Sequence, residues 1–362
     1  MNKISADILQ KANEEAIYNV YLYLLHKRLP KENESLNSVV LGLESASKNK
    51  MSRNWKDRDI YRLNILKNAV LRNKTLADSQ IINLTYSKSG LTACSFKKPN
   101  GNISVVFKGT GSGEWIDSGE GLSGIPETNT YIIYEKGGKA VHSQIVQNDY
   151  ATDQQVDALN WFNRIAYKNN WNVHTKITVS GHSKGGNKAQ FVAVNSNLAD
   201  DCYSFDGQGF SPEALSSLKN QYGKKYEERR WNIRSFSAEN DYVNVLGERL
   251  VPEQHIYYFE SWTGIHNMEA ILDENGNFRP QTEQGKLSLY VESFSEELMQ
   301  MPPAVRQYAT LGIMNIFQKY VGEGIPVNGD SVSMEKTIAG VGLAISSLSD
   351  CHCLIFKVYV AV

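Results

Sequence analysis

The run Thr178-Val179-Ser180-Gly181-His182-Ser183-Lys184-Gly185-Gly186 decides the reading of this 362-residue chain. Upstream of it, β-branched residues alternate at Val173, Thr175, Ile177 and Val179 as they do in a strand, and downstream Ala189–Val194 reads as a buried helix. A serine between two glycines at a strand-to-helix junction is the G-x-S-x-G arrangement. Its flanking positions have no room for side chains, and the hydroxyl is held out at the tip of a sharp turn. Gly186 is a further position at which the helix can pack closely. The arrangement predicts a nucleophile at Ser183.

A serine hydroxyl attacks only when an imidazole takes its proton and a carboxylate orients that imidazole. For a nucleophile on such a turn, the acid and then the histidine follow in chain order, each on a loop after a later strand. Asp241, in Ala238-Glu239-Asn240-Asp241-Tyr242-Val243, lies just past a strand predicted to end at Phe236, and His266 lies past another ending near Phe259. Asp206, at the end of the preceding strand, is the competing acid, with Glu239 behind it. His255 falls within a strand pattern and reads as structural. His182 is expected to pack the turn with its ring directed away from the hydroxyl. The tetrahedral intermediate needs two preorganised N–H donors. One is the amide of Lys184 and the other falls on Thr110, in Phe107-Lys108-Gly109-Thr110-Gly111, whose hydroxyl can also donate.

The blocks Val105–Thr110, Trp115-Ile116-Asp117, Ser180–Gly186, Asn240–Val243 and His266, in that order, resemble the class 3 (fungal-type) lipase family and its bacterial lipase-like relatives. The resemblance spans about residues 80–275. It implies an α/β-hydrolase fold, Thr110 as oxyanion donor, Asp241 as acid, and a mobile lid containing Gly111 and Trp115 over the substrate. It also implies lipid or phospholipid esters as substrates. The family usually has Gly-x-Pro-Arg after the strand that follows the turn. This chain has Phe205-Asp206-Gly207-Gln208-Gly209, which keeps Asp206 open as the acid. A soluble-ester esterase or a thioesterase uses the same triad, and a hydrolase-fold binding or effector protein without catalysis is the alternative of a different class. Ser-His-Asp chemistry calls for no cofactor.

Strands alternating with helices predict an α/β fold with a mostly parallel central sheet covered on both faces. Residues 8–28 and the series Ile60, Leu63, Leu66, Val70 predict helices, so 1–80 reads as a helical segment packed on a core of 81–275. Pro99-Asn100-Gly101 predicts a hairpin, 109–130 a long Gly/Ser/Thr-rich loop, 153–168 a helix, and Ser211-Pro212-Glu213 a capped helix start. Residues 276–362 read as a helical extension broken at Pro302-Pro303.

Lys plus Arg number 38 against 39 Asp plus Glu, so no chain-wide charge favours nucleic acid. Nine basic residues lie between Lys48 and Lys74 against Asp57 and Asp59, a run suited to a solvated helix face or to peripheral contact with an anionic membrane. Four cysteines make no disulfide framework, and Cys351-His352-Cys353 lacks a second ligand pair, so no structural metal is expected. The first residues lack a signal-peptide pattern, which predicts a cytoplasmic protein or one exported without a classical signal. The longest apolar runs, Ile338–Leu348 and Leu354–Val362, fall short of the ~20 residues that span a bilayer.

Overall fold

Residues 3–48, 55–87, 90–110, 115–126, 129–137, 140–172, 174–262 and 266–320 are described by a computed structural model. The chain begins with helix α1 (Ala6–Leu22), the two-residue strand β1 (Glu34–Ser35) and helices α2 (Leu36–Lys48), α3 (Asp57–Arg72) and α4 (Lys74–Asp78). Strands β2 (Gln80–Tyr86), β3 (Thr92–Lys97) and β4 (Ile103–Phe107) lead to helix α5 (Trp115–Ser123) and the hairpin β5 (Asn129–Gly137) and β6 (Ala140–Asn148). Then come α6 (Asp153–Lys168), β7 (Ile177–His182), α7 (Lys184–Asn195), β8 (Asp201–Phe205), α8 (Pro212–Tyr222), α9 (Lys224–Arg230), β9 (Ile233–Ala238) and β10 (Ile256–Phe259). Strand β11 (Gln281–Thr282) and helices α10 (Lys286–Gln300) and α11 (Pro303–Tyr320) complete the described chain.

One sheet has the order β1-β2-β3-β4-β7-β8-β9-β10-β11, while β5 and β6 pair only with each other. Its centre, β4-β7-β8-β9-β10, is parallel and its flanks are antiparallel. This is the expected α/β architecture. Parallel strands must be covered on both faces, and alternation along each strand assigns the faces. Val106, Tyr203 and Phe205 join α1, α2 and α3 in one apolar cluster. Val105, Phe107 and Cys202 join Phe162 of α6 and Phe191 of α7 in another. A third, smaller cluster joins Leu122 and the half-buried Trp115 of α5 to Leu298, Met299, Ala309 and Met314 of α10 and α11.

Local chemistry explains several boundaries. Thr152 and Gln155 form a reciprocal capping box at α6, and Ser211 caps α8 with Pro212 at its first position. Gly101 turns the β3–β4 hairpin at φ +85°. Two expectations need correction. The stretch 109–130 is not a continuous loop: Trp115–Ser123 is helical and Asn129–Gly137 is a strand paired with Ala140–Asn148. Gly119 lets α11 pack closely on this helix, since a Cβ on it would lie only 3.1 Å from Leu311 and Met314 of α11. The strand before the turn starts at Ile177, with Thr175 accepted into a turn by Asn172. Gly111, Val173, Cys351-His352-Cys353 and the two late apolar runs lie outside the described residues. Among the described residues no helix is long and apolar enough to cross a membrane.

Helix α1 is fixed to the sheet by a buried polar network. Lys98 bonds Glu14 at 2.9 Å and Glu15 at 3.2 Å. Glu15 also accepts from Ser104 of β4 and Ser180 of β7, and Asn19 donates to Ser180. Burial pushes the Glu15 carboxyl up, against the pull of Lys98 and the two serines. Removing one partner of a buried pair strands the other charge. Lys98→Met is therefore expected to lower unfolding stability by roughly 3–5 kcal/mol. Urea unfolding checks this, and a loss under about 1 kcal/mol would show that the network does not anchor α1.

Candidate active site

Pairing of β7 between β4 and β8 carries the chain to Ser183 at the C-terminal edge of the parallel strands. Ser183 has φ +60° and ψ −130°, a strained conformation for a residue with a side chain. Its N–H donates to Phe205 O at 2.9 Å, and its carbonyl accepts from Gly186 N at 2.9 Å to start α7. The turn closes so tightly that a Cβ on Gly181 would collide with the Gly185 carbonyl, and one on Gly185 with the Phe107 carbonyl. Glycine is required at both positions because the opposing atoms are backbone.

Ser183 Oγ lies 2.8 Å from His266 Nε2, and His266 Nδ1 lies 2.6 Å from Asp241 Oδ2. Asp241 is completely buried and its other oxygen accepts from the amides of Val243 and Asn244 at 2.8 and 2.7 Å. That turn after β9 leaves one carboxylate oxygen aimed at the imidazole. The structure thus brings together Ser183, His266 and Asp241. Lys184 opens α7, so its amide is at the helix N-terminus beside Ser183. Gly109 packs against the turn, where a Cβ on it would lie 3.1 Å from Ser183 Cβ, and Thr110 follows it. Glu239 is engaged elsewhere, its Oε1 accepting from Ser261 N. His255 ends a 3-10 turn before β10 and packs on Trp231, apart from this group.

Asp206 makes no hydrogen bond to His266. It is fully buried at φ +46°, with Oδ1 accepting from Ala238 N at 2.8 Å. Its Oδ2 and His182 Nε2 face each other at 3.7 Å, beyond hydrogen-bonding distance, and neither atom has a bond among the described residues. Burial, reinforced by the nearby Asp241 carboxylate, pushes Asp206 well above the ordinary carboxyl range. Burial and then the charge of His266 push His182 well down, so its ring is neutral. The His182 ring stacks on His266 at 4.9 Å and 26°, with its Nδ1 2.6 Å from the hydroxyl of Tyr23. His182, Asp206 and His266 place ligand-type atoms within 4.8 Å of one another. A metal there would have to take a His266 nitrogen from Ser183 or Asp241.

Three groups were not marked by any sequence pattern as part of the site. The Lys184 side chain is buried and pairs with Asp117 of α5 at 2.8 Å. Asp117 also accepts from Thr152 Oγ1 and Gln154 N. Tyr23 enters from the N-terminal helices. Glu269, three residues after His266, is bonded by Arg58 at 2.6 Å and Arg62 at 3.0 Å of α3. Burial would raise Glu269, but the two guanidinium groups outweigh it and hold the carboxyl below its usual range. Trp115 lies on α5 within the third apolar cluster, facing α10 and α11.

A family model described as Mbeg1-like matches residues 145–233, which include the Ser183 turn but neither Thr110, Asp241 nor His266. No curated protein matches the chain. Several similar solved structures are fungal lipases. Lipase II from Rhizopus niveus is 14% identical with a TM-score of 0.38, over 74% of this chain and 85% of that one. The native Rhizomucor miehei lipase propeptide complex is 12% identical with a TM-score of 0.35, over 77% and 84%. A 2,6-dihydroxy-pseudo-oxynicotine hydrolase is 14% identical with a TM-score of 0.26, over 81% and 86%. Identities and scores this low confine the likeness to the general run of strands and helices.

The two buried acids separate experimentally. Asp206→Asn keeps the acceptor for Ala238 N and is expected to hold activity within about fivefold of wild type. Asp241→Asn is expected to lose about a thousandfold or more. Folded Asp206 keeps its proton at pH values where the unfolded chain, titrating near 3.8, releases it. Stability tied to Asp206 is therefore present at low pH and is lost as pH rises from the unfolded value toward the raised folded one. Asp206→Asn should accordingly gain stability over wild type progressively as pH rises above the unfolded carboxyl value of 3.8, as read by thermal unfolding. Activity lost in Asp206→Asn but kept in Asp241→Asn would make Asp206 the orienting acid, and a pH-independent stability difference would mean that Asp206 is ionised.

Proposed function

We propose that this chain is a serine hydrolase of carboxylic esters in which Ser183 is the nucleophile, His266 the general base and then acid, and Asp241 the orienting carboxylate. The observation that carries the reading is the continuous hydrogen-bonded line from Ser183 Oγ through both nitrogens of His266 to Asp241 Oδ2. In the first half-reaction Ser183 Oγ bonds to the ester carbonyl carbon while its proton passes to His266 Nε2. The carbonyl oxygen becomes an oxyanion, for which the amides of Lys184 and Thr110 and the Thr110 hydroxyl are the assigned donors. Collapse expels the alcohol, which takes the proton from His266 and leaves an acyl-Ser183. Water then attacks with His266 as base, releasing the carboxylic acid and restoring Ser183. Asp241, held by the Val243 and Asn244 amides, keeps the proton of the resting imidazole on Nδ1 and offsets the imidazolium charge.

Lipid esters are the proposed substrates, on the order and identity of the five lipase-like sequence blocks. A specific observation favours a second reading, hydrolysis of soluble esters. Helix α5, which carries Trp115 and stands where the resemblance puts a lid, is fastened by the buried Lys184–Asp117 pair and lies against α11.

Ser183→Ala and His266→Ala are each expected to abolish hydrolysis of p-nitrophenyl esters, by about a thousandfold or more relative to wild type. A series from acetate to palmitate, presented below and above the concentration at which the long esters form micelles, decides between the substrate classes. Rates that rise with chain length and jump on micelle formation support a lipase. Rates that peak at short chains and ignore the interface support a soluble-ester esterase. Wild-type rates indistinguishable from the two variants would leave a hydrolase-fold binding protein as the better reading.

A further inference from the structure

We propose that Tyr23, supplied by the N-terminal helices, is a positioning residue that ties the loop before Thr110 to the stacked pair His182 and His266, making this helical segment part of the reaction site. The inference rests on the hydrolase reading above.

Tyr23 is the residue that ends α1, and its hydroxyl lies between two parts of the site that come from different strands. On one side it is 2.6 Å from His182 Nδ1. On the other it accepts from the Gly109 amide, and a Cβ on Gly109 would lie 2.5 Å from the hydroxyl, 2.8 Å from His182 O and 3.1 Å from Ser183 Cβ. The donor directions follow. An amide only donates, so the hydroxyl spends its own proton on His182 Nδ1, and burial keeps the phenol protonated and the imidazole neutral. The proton of His182 is then on Nε2, toward Asp206. One hydroxyl thus sets the tautomer and orientation of His182 and holds the strand exit that delivers Thr110.

The ring of Tyr23 is itself held. The Arg62 guanidinium lies 4.5 Å from its centroid and the Lys108 ammonium 5.7 Å, and it meets His182 edge-on at 5.5 Å and 78°. Arg62 simultaneously bonds Glu269 in the turn after His266. Helix α3 therefore braces Tyr23 and the His266 segment together, and His182 passes the orientation on to His266 through their stacked rings. Without the hydroxyl, the Gly109 amide and His182 Nδ1 lose a buried partner. They regain bonds only by a shift of the Thr110 loop or a rotation of His182, and each moves a reacting group's neighbour. Small displacements of this kind act on the chemical step more than on substrate binding.

The test compares wild type, Tyr23→Phe and Tyr18→Phe on a short-chain p-nitrophenyl ester, with thermal unfolding of each. Tyr18 is on the same helix and its buried hydroxyl bonds Ser79 at 2.7 Å, so Tyr18→Phe matches the chemistry of the change away from Ser183. Tyr23→Phe is expected to lower kcat roughly 10- to 100-fold with KM within about twofold, while Tyr18→Phe leaves both near wild type at an equal or larger loss of stability. Wild-type kcat in Tyr23→Phe, or equal loss of kcat in both variants, overturns the positioning role and leaves the hydrolase reading intact. An inactive wild type overturns that reading and the inference with it.

Discussion

Ser183 is held at φ +60°, and the rest of the site depends on that single backbone conformation. A residue with a side chain adopts it only at a cost of about 1–3 kcal/mol, so the surroundings must fix it. Hydrogen bonds to Phe205 and from Gly186 fix its two sides. Gly181 and Gly185 permit the backbone of β4, β7 and α7 to meet where no Cβ fits. Strand β7 in turn is tied to α1 through Ser180, Glu15 and Asn19. The strain is therefore supported by the sheet and by the first helix together, and the hydroxyl meets His266 Nε2 at 2.8 Å.

Around that turn the chain separates two kinds of buried carboxyl group. Asp241 accepts three hydrogen bonds, two from amides and one from an imidazole. Asp206, nearby and equally buried, has one amide donor and an unbonded oxygen. Two carboxylates in one apolar region do not both ionise at low cost, and Asp206, with the fewer donors, is the one pushed upward. This difference in donor number is what distinguishes the two acids, and it is written in the Asp-x-Val-Asn turn after β9 and not in the position of either residue along the chain.

Much of the site was legible because its parts are local. The strand, glycine turn and helix around Ser183 are contiguous, and Asp241 and His266 follow strand ends recognisable from their aromatic and β-branched residues. Caps at Thr152 and Ser211 and the Asn100-Gly101 turn are likewise short-range. What escaped the sequence depends on distant partners. Helix α5 is rich in Gly and Ser, poor helix formers, and it is ordered by Asp117 pairing with Lys184 and by Gly119 receiving α11. Buried Arg306 adds bonds to Ser123 O, Met299 O and Glu213, fastening α11 over the end of α5. Tyr23 and His182 are 159 residues apart, and no periodicity records their contact. That contact holds the His182 ring whose face lies against His266.

The central claim is an activated serine at position 183. Incubation of the purified protein with a fluorophosphonate, followed by mass spectrometry of its peptides, reads this directly. The account predicts one phosphonylated residue, Ser183, formed far faster in wild type than in His266→Ala. Folded wild-type protein that stays unmodified, or that carries the adduct on another residue, would contradict it.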